Sequence, residues 1–377
     1  MRLALLLGVM TALALAQEKG RVMESVKCQA DPSQSYALYL PLRYAPEHSW
    51  PVIFAFDPRA RGRIPVEIYQ AAAEKYGYIV AASNNSQNGS WAVSMAAADA
   101  MINDVLRNFQ VDEKRIYTAG MSGGARVAMG IALNSNRMAG VIASSAGYPD
   151  AKPRKCLSFI LFGTAGTEDF NYLEMRQMDR ALTTPHHVSV FEGGHVWLSS
   201  SLAVEAVEFL ELQAMKSGSK PVDQALVENL FLRRTAGCEQ KSGKELLSAL
   251  DSITADFDGL KDTGNLSSRA ASLRRDRRVR DALKKDRAEE ESEQRQTDEI
   301  LGMERQLISS EEKQTVLSQL RVRWKHIAAA ANAPEDSPER RTARRILRGL
   351  TMGAGERVKD ADYRALLAEF RVRQGAK

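Results

Sequence analysis

The sequence is poor in cysteine: its 377 residues include three, Cys28, Cys156 and Cys238. None of them belongs to a CxxC pair or a Cys/His cluster, so the sequence holds no pattern for a structural zinc site. With so few cysteines, the fold must depend on an apolar core rather than on a disulfide framework. A Cys28–Cys156 bridge that leaves Cys238 unpaired is compatible with the sequence, which does not determine the pairing.

The sequence also lacks a strong net charge and a high overall hydropathy. Its 52 basic and 47 acidic residues leave a net charge of +5, which is too small to indicate a nucleic-acid-binding protein. A mean hydropathy of −0.33 excludes a polytopic membrane protein. The hydrophobic share of 44% and the charged share of 26% are typical of a soluble globular protein and exclude disorder throughout the chain.

The first sixteen residues, MRLALLLGVMTALALA, place Arg2 before an apolar run that ends in small residues. This pattern is typical of a secretory signal peptide. The run is too short for a membrane-spanning helix, which needs about 20 apolar residues. We therefore expect cleavage after Ala16, a mature chain that starts at Gln17, and a secreted or periplasmic location without a stable membrane span.

The composition of the chain changes near residue 220. Charged residues make up about 18% of positions 1–219 and about 37% of positions 220–377. The tract 217–221, SGSKP, has the composition of a linker. The sequence therefore predicts two domains after the signal peptide, one over 17–216 and one over 222–377.

The two predicted domains differ in periodicity. Between residues 34 and 216, seven short apolar runs alternate with five amphipathic stretches. The runs are continuous in Val, Ile and Phe, which indicates strands buried on both faces, and the alternation predicts a doubly wound, mainly parallel sheet with helices on both sides. Residues 222–377 show no strand pattern and predict an all-α domain of five or six helices, a bundle or an array.

The strongest chemical signal is a G-x-S-x-G sequence that joins a predicted strand to a predicted helix within RIYTAGMSGGARVAMGIAL. Glycines relieve crowding at such a turn, so that Ser122 is held exposed at the carboxyl edge of the sheet. The N-terminus of the following helix stabilises negative charge there. Ser122 is therefore the candidate nucleophile, and the N–H of Gly123 is a candidate oxyanion donor.

A serine hydroxyl needs a base that a third group orients. Among the five histidines, His195 directly follows a predicted strand, so it emerges at the same edge of the sheet as Ser122. The orienting acid is expected after the strand between them, where both Glu168 and Asp169 qualify. Asp169 is preferred because the shorter carboxylate is the commoner partner of a catalytic histidine.

With these motifs, residues 34–216 resemble the α/β-hydrolase superfamily. The segments PVIFAFDPRARGR, AGMSGGARVA, FGTAGTEDFNY and FEGGHVW are similar to those of secreted esterases related to polyhydroxybutyrate depolymerases and feruloyl esterases, and to dienelactone-hydrolase and carboxylesterase-type enzymes. The resemblance implies hydrolysis of a small-molecule or polymer ester through an acyl-serine intermediate. It also implies Ser122, Asp169 and His195 as a catalytic triad, with no metal and no organic cofactor.

The candidate oxyanion hole departs from the pattern of these relatives. Many of them place a His-Gly pair after the first core strand, whereas this chain has Asp57-Pro58-Arg59 there. Pro58 has no N–H, so the second donor, beside Gly123, must be the N–H of Asp57 or Arg59. We expect the Asp57 carboxylate to point away from the oxyanion and to pair with Arg59 or Arg61.

Candidate substrate contacts come from the neighbourhood of the nucleophile and from one polar loop. The loop over 83–91 follows a predicted strand and should lie near the same edge of the sheet. Within it we select Asn84 and Trp91, and beside the nucleophile we select Met121. A solvated turn is an equally good interpretation of this loop.

Two further functions compete with the esterase hypothesis. A serine peptidase of the same fold would use the same three residues. Alternatively, the protein is a non-catalytic scaffold, in which the hydrolase domain is inactive and the helical domain over 222–377 binds a protein partner. Its arginine-rich stretch over 269–280 is followed by an acidic run, so we expect a solvated helix face there and no nucleic-acid partner.

Overall fold

Eight strands form one sheet in residues 18–152, 154–309 and 312–370, which a computed structural model describes. The predicted signal peptide, residues 1–16, lies outside these ranges. The strands are β1 (Val22–Lys27), β2 (Ser35–Tyr39), β3 (Trp50–Phe56), β4 (Ile79–Ser83), β5 (Val111–Met121), β6 (Gly140–Ser144), β7 (Ile160–Gly166) and β8 (His186–Phe191).

The strand order in this sheet is β1-β2-β4-β3-β5-β6-β7-β8. The two pairings that involve β2 are antiparallel, and the pairings from β4 through β3 to β8 are parallel. Parallel neighbours end at the same edge, so the loops after β3, β5, β7 and β8 meet there. The predicted doubly wound, mainly parallel sheet is confirmed.

Helices cover both faces of the sheet because side chains alternate along its strands. In β3, Phe54 and Phe56 pack on one face, whereas Ile53 and Ala55 pack on the other. The helices of this part of the chain are α1 (Arg63–Tyr76), α2 (Trp91–Asn108), α3 (Gly123–Leu133), α4 (Tyr172–Ala181) and α5 (Ser200–Lys216). The first face is covered by α2, α3 and α4, and the second face by α1 and α5.

The C-terminal helical region contains seven helices among the residues described, so the predicted count of five or six is corrected. One additional break occurs at Asp276, whose carboxylate accepts a hydrogen bond from the N–H of Arg278 at 2.7 Å and starts a new helix. The helices are α6 (Gln224–Ala236), α7 (Gly243–Phe257), α8 (Gly264–Arg275), α9 (Arg277–Ser309), α10 (Lys313–Ala331), α11 (Pro338–Arg357) and α12 (Ala361–Phe370).

The helical region has two apolar cores, which the long helix α9 connects. One core joins α6, α7 and α8 to the last turns of α5 through Leu212 and Met215. The other joins α9, α10, α11 and α12 around the fully buried Trp324 and Tyr363. Helix α5 packs on the sheet along most of its length and contributes its last turns to the first helical core. The helices that follow residues 217–221 are therefore packed against the same helix that covers the sheet. None of the helices in the described ranges has the length and apolar character needed to cross a membrane.

All three cysteines are free thiols, so the Cys28–Cys156 bridge that the sequence allowed is not formed. Cys28 and Cys238 are buried, whereas Cys156 is exposed. Burial, together with the nearby carboxylates of Asp104 and Asp31, raises the pKa of the Cys28 thiol to about 11. A thiol with such a pKa is a poor nucleophile at neutral pH.

We therefore expect one thiol per chain to react quickly with Ellman's reagent in the native protein, and three after unfolding in guanidinium chloride. Cys156→Ser should abolish the fast reaction and leave two thiols in the unfolded protein. A total of one thiol in unfolded wild-type protein would reveal a disulfide and contradict the structure.

Candidate active site

Ser122 occupies the sharp turn between β5 and α3. Its backbone angles are φ 55° and ψ −123°, in a left-handed region that residues other than glycine rarely adopt. The N–H of Ser122 donates to the carbonyl of Ser144 on the neighbouring strand β6, at 2.9 Å. This bond fixes the turn to the sheet, and the Ser122 side chain remains partly exposed at its carboxyl edge.

The glycines on either side of Ser122 are required by close backbone approaches. A Cβ on Gly120 would overlap the carbonyl of Gly124, and a Cβ on Gly124 would overlap the carbonyl of Phe56 at the end of β3. The G-x-S-x-G sequence is therefore needed for the turn and for the close packing of α3 against β3.

Two hydrogen bonds connect the three residues that the sequence singled out. The Nε2 atom of His195 lies 2.8 Å from Ser122 Oγ, and its Nδ1 atom lies 2.8 Å from Asp169 Oδ1. An ionised carboxylate accepts only, so Nδ1 carries the hydrogen and Nε2 is free to accept the serine proton. Asp169 is fully buried, and its Oδ1 also accepts from the N–H of Asn171 at 2.8 Å.

The structure distinguishes between the two carboxylates that the sequence left open. Asp169 faces His195, whereas Glu168 points to the helical region and pairs with Arg344 and Arg348 of α11. The ring of Phe170, the next residue, stacks on His195 with a centroid distance of 4.0 Å. The catalytic roles of Ser122, Asp169 and His195 stay predictions.

The Asp57 carboxylate is fully buried and pairs with Arg61, one of the two arginines that the sequence offered as its partner. It accepts from Arg61 Nε at 2.9 Å, from Trp197 Nε1 at 2.8 Å and from the N–H of Arg59 at 2.9 Å. Burial alone would raise the pKa of Asp57, but these hydrogen bonds outweigh it and hold that pKa below its ordinary value. The N–H of Arg59 is thus already occupied, which leaves Asp57 and Gly123 as candidate oxyanion donors.

The three candidate substrate contacts lie in different surroundings. Asn84 Nδ2 donates to the carbonyl of Glu24 at 3.0 Å, so this side chain ties its loop to β1. Trp91 is half-exposed and packs on Gly130, two turns along α3 from Ser122. Met121 is buried beneath the turn. Neither the hydrogen bond of Asn84 nor the packing of Trp91 on Gly130 involves Ser122 or His195.

Asn88, in the same loop, is the residue that the sequence analysis missed. Its side-chain amide lies so close to Gly123 that a Cβ on that glycine would overlap Asn88 Oδ1. The N–H of Asn88 donates to the carbonyl of Pro58 at 2.9 Å, which holds the loop beside the end of β3. The polar composition of the loop is visible in the sequence. Which residue of the loop reaches Gly123, however, depends on how the loop folds back over α3.

A wide cleft separates the β8 edge of the sheet from the helical region. Its volume is about 1060 Å³, and its walls come from β8, α5, α6, α7 and α9. His187 and Ser252 meet there, with Ser252 Oγ 3.2 Å from His187 Nδ1. Ser122 does not line this cleft. The residues described contain no cluster of three or more His, Cys, Asp or Glu side chains that could hold a metal ion.

The strand order, the strand–Ser122–helix turn and the chain order Ser–Asp–His together have the arrangement of the α/β-hydrolase fold. No family model and no curated protein sequence matches the chain. Among solved structures, it is similar to Thermogutta terrifontis esterase 2 phosphorylated by paraoxon, at 17% identity over 54% of this chain and 96% of that chain, with a TM-score of 0.40.

Two other solved structures show a comparable degree of similarity. Est1E from Butyrivibrio proteoclasticus is 12% identical over 52% of this chain and 99% of that chain, with a TM-score of 0.40. A ferulic acid esterase is 17% identical over 50% of this chain and 97% of that chain, also with a TM-score of 0.40. Each match therefore covers about half of this chain.

The contacts of Asp57 lead to a prediction about stability. We expect Asp57→Asn to lower the free energy of unfolding by about 1–3 kcal/mol, because the amide cannot accept all the hydrogen bonds of the buried carboxylate. Urea unfolding at pH 7 measures this difference. Since the folded-state pKa of Asp57 lies below its ordinary value of 3.8, the contribution is present above pH 3.8 and is lost as the pH falls through the lowered pKa.

Asp150→Asn is the matched control, since Asp150 pairs with Arg154 at the same i, i+4 spacing but on the surface. We expect it to leave the unfolding midpoint nearly unchanged. Equal losses in the two variants would mean that burial of the Asp57 carboxylate contributes nothing.

Proposed function

We propose that the protein is a serine hydrolase that cleaves carboxylic esters through an acyl-serine intermediate, with Ser122, His195 and Asp169 as nucleophile, base and orienting acid. The observation that carries this proposal is the pair of 2.8 Å hydrogen bonds joining the three side chains at a strained strand-to-helix turn. A purely structural serine would need neither the left-handed backbone nor a histidine with a buried carboxylate behind it.

In the first half of the reaction, Ser122 Oγ attacks the ester carbonyl carbon while His195 Nε2 takes the hydroxyl proton. The carbonyl oxygen becomes an oxyanion, which the N–H groups of Gly123 and Asp57 would stabilise. When the tetrahedral intermediate collapses, the C–O bond to the alcohol breaks and the alcohol takes the proton from the imidazolium. An acyl group then remains on Ser122.

In the second half, water replaces the alcohol. His195 Nε2 takes a proton from the water as its oxygen attacks the acyl carbon, and a second tetrahedral intermediate forms. Collapse of that intermediate breaks the bond to Ser122 Oγ, which recovers its proton from the imidazolium, and the carboxylic acid leaves. Asp169 stays ionised throughout, since its role is to hold the Nδ1–H and to stabilise the imidazolium.

The pairing of Asp57 supports catalysis over a purely binding role. An unpaired carboxylate beside the nascent oxyanion would oppose catalysis, but the charge of this one is neutralised by Arg61, and it also accepts from Trp197. The backbone nitrogen of Asp57 lies beside the turn, 3.3 Å from the position that a Cβ on Gly124 would take. We therefore favour an ester hydrolase over a non-catalytic scaffold built on the same fold.

We also propose that the chain is exported and that its substrate is a small-molecule or polymer ester. Export rests on the N-terminal sequence 1–16 alone. A protein partner for residues 222–377 likewise remains a prediction, and the cleft beside β8 is the surface of the helical region that would be tested first.

Labelling with a fluorophosphonate probe tests the nucleophile. We expect wild-type protein to become labelled at Ser122, because the probe reacts with serines that a neighbouring base activates. Ser122→Ala should not be labelled, whereas Ser201→Ala, a change at an exposed serine on α5, should be labelled like wild type. An unlabelled wild-type protein, or equal labelling of Ser122→Ala, would reject the proposal. Faster turnover of peptide p-nitroanilides than of short p-nitrophenyl esters would assign a peptidase instead.

Asp169→Asn tests the orienting acid. An asparagine has both a donor and an acceptor, so it permits the wrong histidine tautomer and should lower kcat for a p-nitrophenyl ester by about 10⁴-fold. Steady-state kinetics measure this loss, and Asp150→Asn on the surface should leave kcat unchanged. A loss of less than tenfold in Asp169→Asn would contradict the role assigned to this carboxylate.

A further inference from the structure

The loops that carry Asp169 and His195 are joined to each other. The Asp169 loop (167–171) follows β7, and the His195 loop (192–197) follows β8. The N–H of Glu168 donates to the carbonyl of Gly193 at 2.7 Å, and the N–H of Thr167 donates to the carbonyl of Phe191 at 2.9 Å. A shift of either loop would therefore move the other, together with the hydrogen bond between Asp169 and His195.

Helix α11 lies against both loops with a row of arginines. The row comprises Arg341, Arg344, Arg345 and Arg348, whose spacing places them on one face of the helix. Two of them pair with Glu168 in the Asp169 loop, and Arg341 lies 3.5 Å from Glu192 in the His195 loop. The helical region thus contacts both loops directly behind the proposed catalytic residues.

Arg345 is the buried member of this row, with 8% of its surface exposed. Its Nη1 donates to the carbonyl of Thr167, two residues before Asp169, at 2.6 Å. From the other side, Glu293 of α9 accepts from its Nε at 2.9 and 3.0 Å. The guanidinium also lies 4.5 Å from the centre of the Tyr172 ring. A planar guanidinium held at several points can fix a backbone carbonyl in a defined direction.

A second contact leads from α11 to the histidine ring itself. Gly349 lies so near the Asp169 loop that a Cβ on it would stand 3.1 Å from Phe170 Cβ. Phe170 in turn stacks on His195 at 4.0 Å between ring centroids. The backbone of α11 therefore supports the aromatic ring against which the imidazole rests.

From these contacts we propose that Arg345, held by Glu293, is a positioning residue for the Asp169–His195 pair. The helical region then belongs to the catalytic machinery, because α9 and α11 hold the Asp169 loop at the distance that the hydrogen bond to His195 requires. This inference builds on the proposed function, but its central claim concerns the Asp169–His195 hydrogen bond and can be measured without a substrate.

The competing explanation is that the arginine row only joins the helical region to the sheet. In that case, loss of Arg345 would lower stability and leave the Asp169–His195 hydrogen bond unchanged. Removing Arg345 alone would leave Glu293 buried and unpaired, which is strongly destabilising in itself. Replacing both partners by apolar residues of similar size avoids this cost and still deletes the bond to Thr167.

The decisive experiment compares Arg345→Met/Glu293→Met with Arg323→Met/Glu299→Met in the full-length protein. The control pair joins α10 to α9 in the same helical region, and it does not touch either loop. The first readout is the downfield proton resonance of the His195 Nδ1–H, identified by its loss in His195→Gln. The second readout is the separation of kcat from KM for p-nitrophenyl acetate.

We expect the Arg345/Glu293 variant to broaden or shift the resonance and to lower kcat at least tenfold, with KM changed less than twofold. The Arg323/Glu299 control should match wild type in both readouts. A wild-type resonance in a folded Arg345/Glu293 variant would overturn the proposal, whatever the esterase assay shows. If wild type turns over no ester but the resonance still responds to the Arg345/Glu293 change, the positioning role stands and the ester assignment fails.

Discussion

The site depends on one backbone constraint, the left-handed conformation of Ser122 between β5 and α3. A residue that carries a β-carbon is strained by about 1–3 kcal/mol in that region of φ and ψ, so the surrounding contacts must hold Ser122 in this conformation. The hydrogen bond from the N–H of Ser122 to the carbonyl of Ser144 supplies one such contact, and the close packing of Gly124 against the end of β3 supplies another. Because the strand continues directly into the helix, the serine hydroxyl has a fixed position that every other residue of the site must match.

The parallel sheet makes that matching feasible. The strands that follow β5 in sheet order, β6, β7 and β8, all run in the same direction, so their carboxyl ends stand side by side. Asp169 leaves β7 and His195 leaves the adjacent β8, which places the proposed base and orienting acid on neighbouring loops. On the other side of β5, the end of β3 brings the backbone of Asp57 to the turn while Arg61 and Trp197 retain its carboxylate.

Much of this arrangement was predictable because it rests on local patterns. The continuous apolar run Gly140–Ser144 predicts a strand, and β6 has the same bounds in the structure. The apolar run Ser158–Phe162 predicts a strand that ends at Phe162, but β7 extends four residues further, to Gly166. Gly163 fits there between Met175 and Val188, a packing that the low strand propensity of glycine does not reveal. β1 was missed, since its partly exposed residues at the sheet edge form no apolar run.

Other parts of the site depend on contacts between residues far apart in the chain. Asn84 and Asn88 share one loop and one chemistry, and which of them reaches Gly123 is decided by the hydrogen bond from Asn88 to Pro58. The arginines of the stretch over 269–280 are all exposed, as those of a solvated helix face should be, whereas Ala270 and Val279 between them are buried. The row on α11 has a similar composition, yet Arg345 is buried against Thr167, over 170 positions away.

That difference changes the meaning of the charge imbalance in the chain. By composition, all arginines of the helical region contribute equally to its excess of positive charge. In the structure, some of them face solvent, whereas the charge of others is neutralised by a carboxylate at a loop. Glu168 and Glu192 lie within the two proposed catalytic loops, and each pairs with an arginine of α11. Desolvation of Arg345 and Glu293 offsets much of the attraction between them, so their burial adds little to the stability of the contact between α11 and the loops. Attachment of the helical region to the sheet is therefore a weak explanation for a charged helix face that matches these two loops. Its specificity for these loops is the physical reason to assign the helical region a part in the geometry of the site.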